Sequence, residues 1–151
     1  MLQTSWYFED FELNKTIEVG SRTLNEQEIL EFARQFDPQP FHVDPEAAAK
    51  SIYGGIIASG WHTCSTMMRL MVDGFLSTSS SMGSPGLDEV RWLKPVRPGD
   101  TLKVSTTAID IKPSSSKPDR GVVVTEWRAH NQHGELVCTI KGMGMFRRRP
   151  K

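Results

Sequence analysis

Asp37 and His42 stand five positions apart in the run Phe36-Asp37-Pro38-Gln39-Pro40-Phe41-His42-Val43-Asp44. A carboxylate and an imidazole held rigidly around one water are what catalysis of proton transfer requires. Pro38 and Pro40 stiffen the segment between them, so neither group depends on a mobile loop. Phe36, Phe41 and Val43 are apolar neighbours that would exclude bulk water and move both pKa values from their ordinary positions. The same residues also have a plainer reading, in which Asp37 ends a helix and His42 is a packing residue with its hydrogen bonds met. Residue types alone favour the plainer reading.

The elements that must position this pair follow from periodicity. Lys15 to Arg22 reads as a short strand, and Thr23-x-x-Glu26 matches a capping box. Ile29, Ala33 and Phe36, with Leu30 beside them, recur at helical spacing. That helix should stop near Phe36, because Asp37 precedes a proline and is steered away from helical angles. Asp37 to Phe41 is expected as a stiff loop. Asp44-Pro45 opens another helix, with Asp44 as N-cap and Pro45 in the first turn. After the break at Gly54-Gly55, Ser59-Gly60 begins a longer helix. Its stripe Trp61, Cys64, Met68, Met71 and Phe75 predicts a helix buried on much of its circumference. Beyond Ser81 the period falls to two. Strands are predicted at Leu87–Leu93, Thr101–Ile111, Gly121–His130 and Glu135–Arg147. A helix-rich half followed by an antiparallel half predicts an α+β fold, one domain over residues 1–151, with the sheet wrapped around the long helix. The exposed edges of such a sheet predict a homodimer at least.

Composition narrows the function. Eighteen basic residues balance eighteen acidic ones, so no global field favours nucleic acid or a membrane surface. The basic run Arg147-Arg148-Arg149 reads as a solvated tail. Cys64 and Cys138 lie far apart in apolar segments and predict reduced, core-filling thiols, with no metal site. His130 and His133 lack a third ligand at metal spacing, and no nucleotide-binding fingerprint occurs. Met1 to Asp10 lacks a basic start followed by an apolar stretch, and nothing is long and apolar enough to span a membrane. The expected location is cytoplasmic.

Three motifs together resemble the MaoC-like dehydratases, the family of the (R)-specific enoyl-CoA hydratases. The first is Asp37-x-x-Pro40-x-His42-x-Asp44. The second is Tyr53-Gly54-Gly55-Ile56-Ile57-Ala58-Ser59-Gly60. The third is Leu87-Asp88-Glu89-Val90-Arg91-Trp92-Leu93-Lys94-Pro95-Val96-Arg97-Pro98-Gly99-Asp100. The resemblance runs from about Lys15 to Phe146. It implies a hotdog fold and a reversible addition of water to a trans-2-enoyl thioester, giving a (R)-3-hydroxyacyl thioester. Asp37 and His42 would hold the water between them. The N–H of Gly60 would stabilise charge on the thioester oxygen. Gln39, Pro40, Ser59 and Trp61 would line the substrate site. Coenzyme A enters as part of the substrate, and no separate cofactor or metal is implied. Three positions depart from the family pattern: Gln39 for Asn, Ser59 for His, and Met68 for a hydroxyl residue.

Two other functions compete. A hotdog acyl-CoA thioesterase often uses a carboxylate on or beside the central helix, but no Asp or Glu occurs from Ala47 to Val72. A non-catalytic acyl-thioester-binding module would have no need for both Asp37 and His42.

Overall fold

The computed structural model describes residues 3–151; Met1 and Leu2, part of the N-terminal stretch read for a leader, lie outside the described residues. The elements run β1 (Thr16–Thr23), α1 (Glu26–Phe36), α2 (Pro40–Val43), α3 (Pro45–Ala49), α4 (Gly60–Gly74), β2 (Gly86–Trp92), β3 (Thr101–Pro113), β4 (Arg120–His130) and β5 (Leu136–Arg147). The five strands form one antiparallel sheet in the order β1-β3-β4-β5-β2, and α4 packs on it. The α+β architecture is the one the patterning predicts. Among the described residues no helix is long and apolar enough to cross a membrane.

The core lies between α1, α4 and the sheet. Leu24, Ile29, Met67, Leu102, Val104, Ala129 and Cys138 are all fully buried there. Each large apolar side chain buried in this way contributes roughly 2 kcal/mol.

Several local expectations shift. The capping box sits two residues later than predicted. Asn25 Oδ1 accepts the Glu28 N–H and the Glu28 carboxylate accepts the Asn25 N–H, both at 2.9 Å. Thr23 is unavailable because it ends β1, where its hydroxyl meets that of Thr101 at 2.6 Å. Ile29 and Ala33 are buried as expected, but Phe36 is 63% exposed. Its ring leans on Phe32 at the helix end instead, with centroids 5.0 Å apart. The stiff loop is shorter than predicted, because Pro40 opens the single turn of α2 that carries His42. The basic run is tied down. The Arg149 guanidinium donates to both carboxylate oxygens of Asp10 at 2.6 Å, and Arg148 lies over the Phe8 ring.

The largest correction concerns α4. Trp61 and Met68, from the predicted apolar stripe, are 59% and 46% exposed. Met71 is buried as predicted and Cys64 and Phe75 pack against the core, but the rest of the buried face is His62, Thr63, Thr66, Met67 and Leu70. Threonine serves as core filler here because the Thr66 hydroxyl is satisfied locally, donating to the His62 carbonyl at 2.9 Å.

His62 makes this face sensitive to acid. It stacks on Phe32 with centroids 4.7 Å apart. Burial lowers its pKa from the ordinary 6.5; Glu28 nearby opposes that change and Arg22 adds to it. The folded chain therefore resists the proton that the unfolded chain accepts. The stability His62 contributes is full above 6.5 and is lost as pH falls through its lower folded value. The melting temperature of the wild type is expected to fall more steeply on acidification below that pH than that of His62→Phe. Parallel slopes in the two proteins would remove His62 from the account.

Candidate active site

Asp37 and His42 are brought together by the end of one helix and the turn that follows. Asp37 caps α1, its N–H donating to the Ala33 carbonyl at 2.8 Å. Gln39 then precedes α2, whose single turn points His42 back at Asp37. His42 Nε2 lies 3.2 Å from Asp37 Oδ2, and the imidazole is buried. On its far side, Nδ1 is 2.8 Å from the Ile57 carbonyl oxygen. A carbonyl only accepts, so Nδ1 carries a proton. Nε2 is left facing Asp37 Oδ2 as a close approach of imidazole and carboxylate.

The carboxylate is held from two further directions. Gln39 Nε2 donates to Oδ1 and Ser59 Oγ donates to Oδ2, each at 2.7 Å. Burial pushes the Asp37 pKa up. The hydrogen bonds from Gln39 and Ser59, with the charge of His42, outweigh burial and hold it below the ordinary 3.8. The stability carried by this carboxylate is present above 3.8 and is lost as pH falls through the lower folded value. Ser59 also caps α4, accepting the Trp61 N–H at 3.3 Å. Ser59→Ala is therefore expected to raise the Asp37 pKa toward its ordinary value and to cost about 1 kcal/mol of stability. Carboxyl-carbon NMR titration and urea unfolding would check the two effects separately.

Asp37, Gln39, His42, Gly60 and Trp61 line one cleft of about 510 Å³, together with Phe41, Tyr53, Trp92 and Lys94. Ser59 is fully buried and touches Asp37 rather than the cleft. Pro40 is exposed at the start of α2, where it sets the turn. Gly60 is the first residue of the 15-residue α4. Among the described residues no acceptor pairs with its N–H. An unpaired N–H at a helix N-terminus favours a negative charge placed beside it. Arg91 and Lys94, near the cleft, are engaged by Glu89 and Glu135.

The sequence pattern pointed to neither the Ile57 carbonyl nor Trp92 as part of this arrangement. Ile57 enters through its backbone, which leaves no signature in residue type. Trp92 lies 32 residues beyond Gly60 in the chain, yet its indole N–H donates to the Gly60 carbonyl at 3.0 Å. Its tryptophan in an otherwise recognisable strand motif was the available signal.

Known proteins match this chain in sequence and fold. The family model described as "MaoC like domain" covers residues 10–128. The chain is 30% identical over 140 residues to the uncharacterized protein YdeM of Bacillus subtilis, spanning 88% of this chain and 97% of that one. It is 41% identical over 70 residues to a mesaconyl-CoA hydratase of Cereibacter sphaeroides, spanning 46% of this chain but only 20% of that protein. The crystal structure of a MaoC-like dehydratase from Rhodospirillum rubrum superimposes with a TM-score of 0.91 at 40% identity, covering 97% of this chain and all of that one. A Mycobacterium tuberculosis protein with a double hotdog fold superimposes at TM-score 0.74 and 18% identity, over 96% of this chain and 45% of that one. By its sequence match and its sheet-on-helix architecture, the chain belongs to the MaoC-like domain family and has the hotdog fold.

Proposed function

We propose that this protein is an enoyl-thioester hydratase, reversibly adding water to a trans-2-enoyl-CoA, with Asp37 and His42 handling the protons. The single observation that carries this reading is the contact of Asp37 Oδ2 with His42 Nε2 at 3.2 Å on the wall of a cleft. At that spacing no water fits between the two atoms, so a reacting water that touches both lies on the cleft side of the pair rather than on the line between them. One group takes a proton from the water as its oxygen bonds to C3 of the enoyl group. The other delivers a proton to C2. A proton passing from the first group to the second then restores the starting state, and the net change is one water added.

Negative charge builds on the thioester oxygen during attack. The Gly60 N–H at the start of α4 is the group placed to receive it. The ordered supports of Asp37 keep it ionised, which suits a residue that must hold and orient water. Met68, Met71, Phe75, Trp127 and Phe146 line a separate cavity of about 250 Å³ that shares no residue with the Asp37–His42 cleft. The sheet edges β1 and β2, and the exposed Trp61, Met68, Leu87 and Trp92, support a homodimer that covers them.

Hydrolysis is the competing reaction. It would release free thiol, and the carboxylate-free stretch from Ala47 to Val72 argues against it. The deciding test follows crotonyl-CoA by loss of enoyl-thioester absorbance while free thiol is monitored. Loss of absorbance without thiol is expected. Thiol release would move the protein to the thioesterases, and binding without turnover to the inert modules.

A further inference from the structure

We infer that Trp92 is a positioning residue for the oxyanion donor: its indole clamps the Gly60 peptide and so aims the Gly60 N–H. This rests on the hydratase reading above. Glycine at position 60 lets a thioester carbonyl approach the helix end closely, but it also leaves the backbone with more freedom than any other residue would. A donor that wanders cannot stabilise charge at one point. Something outside the residue must restrain it, and Trp92 both bonds its carbonyl and stands nearest to where its Cβ would be.

Three contacts make the clamp. Trp92 Nε1 donates to the Gly60 carbonyl at 3.0 Å, holding the peptide that follows Gly60. The indole occupies the space a Cβ at position 60 would need, where Cε2 would overlap it and Nε1 and Cδ2 would stand 2.6 and 2.9 Å away. Trp61, the next residue of α4, meets the same indole edge-on with centroids 5.6 Å apart. The clamp is itself anchored. Trp92 ends β2, where its backbone is paired with Cys138 of β5. The first turn of α4 is therefore tied through one ring to the sheet, at the point where Gly60 lines the cleft. The ring also explains why position 60 admits no larger residue: the obstacle is Trp92 as well as the substrate.

The test separates the N–H of the indole from its bulk. Trp92→Phe keeps a ring against Gly60 and removes the hydrogen bond. On crotonyl-CoA its kcat is expected to fall about tenfold with KM within about twofold, because the lost interaction acts in the transition state. The pH dependence of kcat/KM should keep the wild-type limbs, since Asp37 and His42 do not touch Trp92. Without substrate, the ¹⁵N order parameter of the Gly60 amide should drop in Trp92→Phe. Gly60→Ala should cost about a hundredfold beside Trp92 and clearly less in a Trp92→Leu background, where the methyl has room. Wild-type kcat in a folded Trp92→Phe protein, or an unchanged Gly60 order parameter, overturns the clamp while leaving the hydratase reading intact. A wild type without hydration activity overturns that reading, and this role with it.

Discussion

Asp37→Asn and His42→Ala are each expected to reduce crotonyl-CoA hydration about 1,000-fold or more while leaving a folded protein. The structure separates the two losses. Asparagine at 37 keeps the size of the side chain; its amide oxygen in the Oδ1 position still accepts from Gln39, and its NH2 in the Oδ2 position donates to the Ser59 hydroxyl, which can accept. It cannot share a proton with His42 Nε2. Alanine at 42 removes the imidazole and leaves the Ile57 carbonyl without its donor. A buried carbonyl stripped of its partner costs about 1–3 kcal/mol, so His42→Ala should also lower the melting temperature, whereas Asp37→Asn should change it less. The effects on rate should not add. Once either member is gone the proton has no acceptor or no donor, and the double variant should be little worse than either single one. Steady-state kinetics on all three, with circular dichroism to confirm folding, decides this. Activity within about tenfold of wild type in Asp37→Asn would end the proposal that this pair runs the reaction.

The largest effect on stability is expected at the other end of the same helix. Gly74 closes α4 against β1. A Cβ there would overlap the carbonyl oxygen of Val19 and stand 2.9 Å from its carbonyl carbon. No rotamer change relieves a clash with backbone. Either the end of α4 must lift or the bulge at Val19 must shift, and β1 is held by its pairing with β3 on both sides of that bulge, at Glu18 and Gly20. Gly74→Ala is therefore expected to lower the unfolding free energy by about 3 kcal/mol, at the upper end for added volume in a packed contact. Alanine is the better helix former, so propensity predicts the opposite sign and the contact must win by more than the roughly 1 kcal/mol that propensity offers. Urea unfolding of Gly74→Ala beside Ser65→Ala, on the exposed face of α4, measures the difference. Equal midpoints would show that the helix end adjusts freely.

The two experiments probe one element from both ends. α4 begins at the proposed oxyanion donor and ends against the first strand, so the same variant also asks whether a displacement at Gly74 reaches Gly60. Gly74→Ala is expected to lower activity only to the extent that it unfolds the protein. A folded fraction with reduced kcat would show that the helix carries the displacement to the cleft.

Much of this molecule was legible in local chemistry. Local patterning located all five strands to within about two residues, and beyond Ser81 the period of two is clearest in β3, whose burial alternates along its length. Asp44-Pro45 and Ser59-Gly60 announced helix starts because a cap is satisfied within three residues of itself. The D-x-x-P-x-H spacing named the pair at Asp37 and His42 because one short turn joins them. What the sequence could not decide was everything requiring a partner from a distant element. The inward face of α4 was misread at Trp61 and Met68 because burial there depends on which side the sheet presses, and threonine counts as polar until its hydroxyl is seen bonded to the preceding turn. The tautomer of His42 depends on the Ile57 carbonyl, and the setting of Gly60 on Trp92, contacts made across 15 and 32 residues of chain. The residues that do the proposed chemistry were determined locally; the groups that aim them were decided only when the sheet closed over the helix.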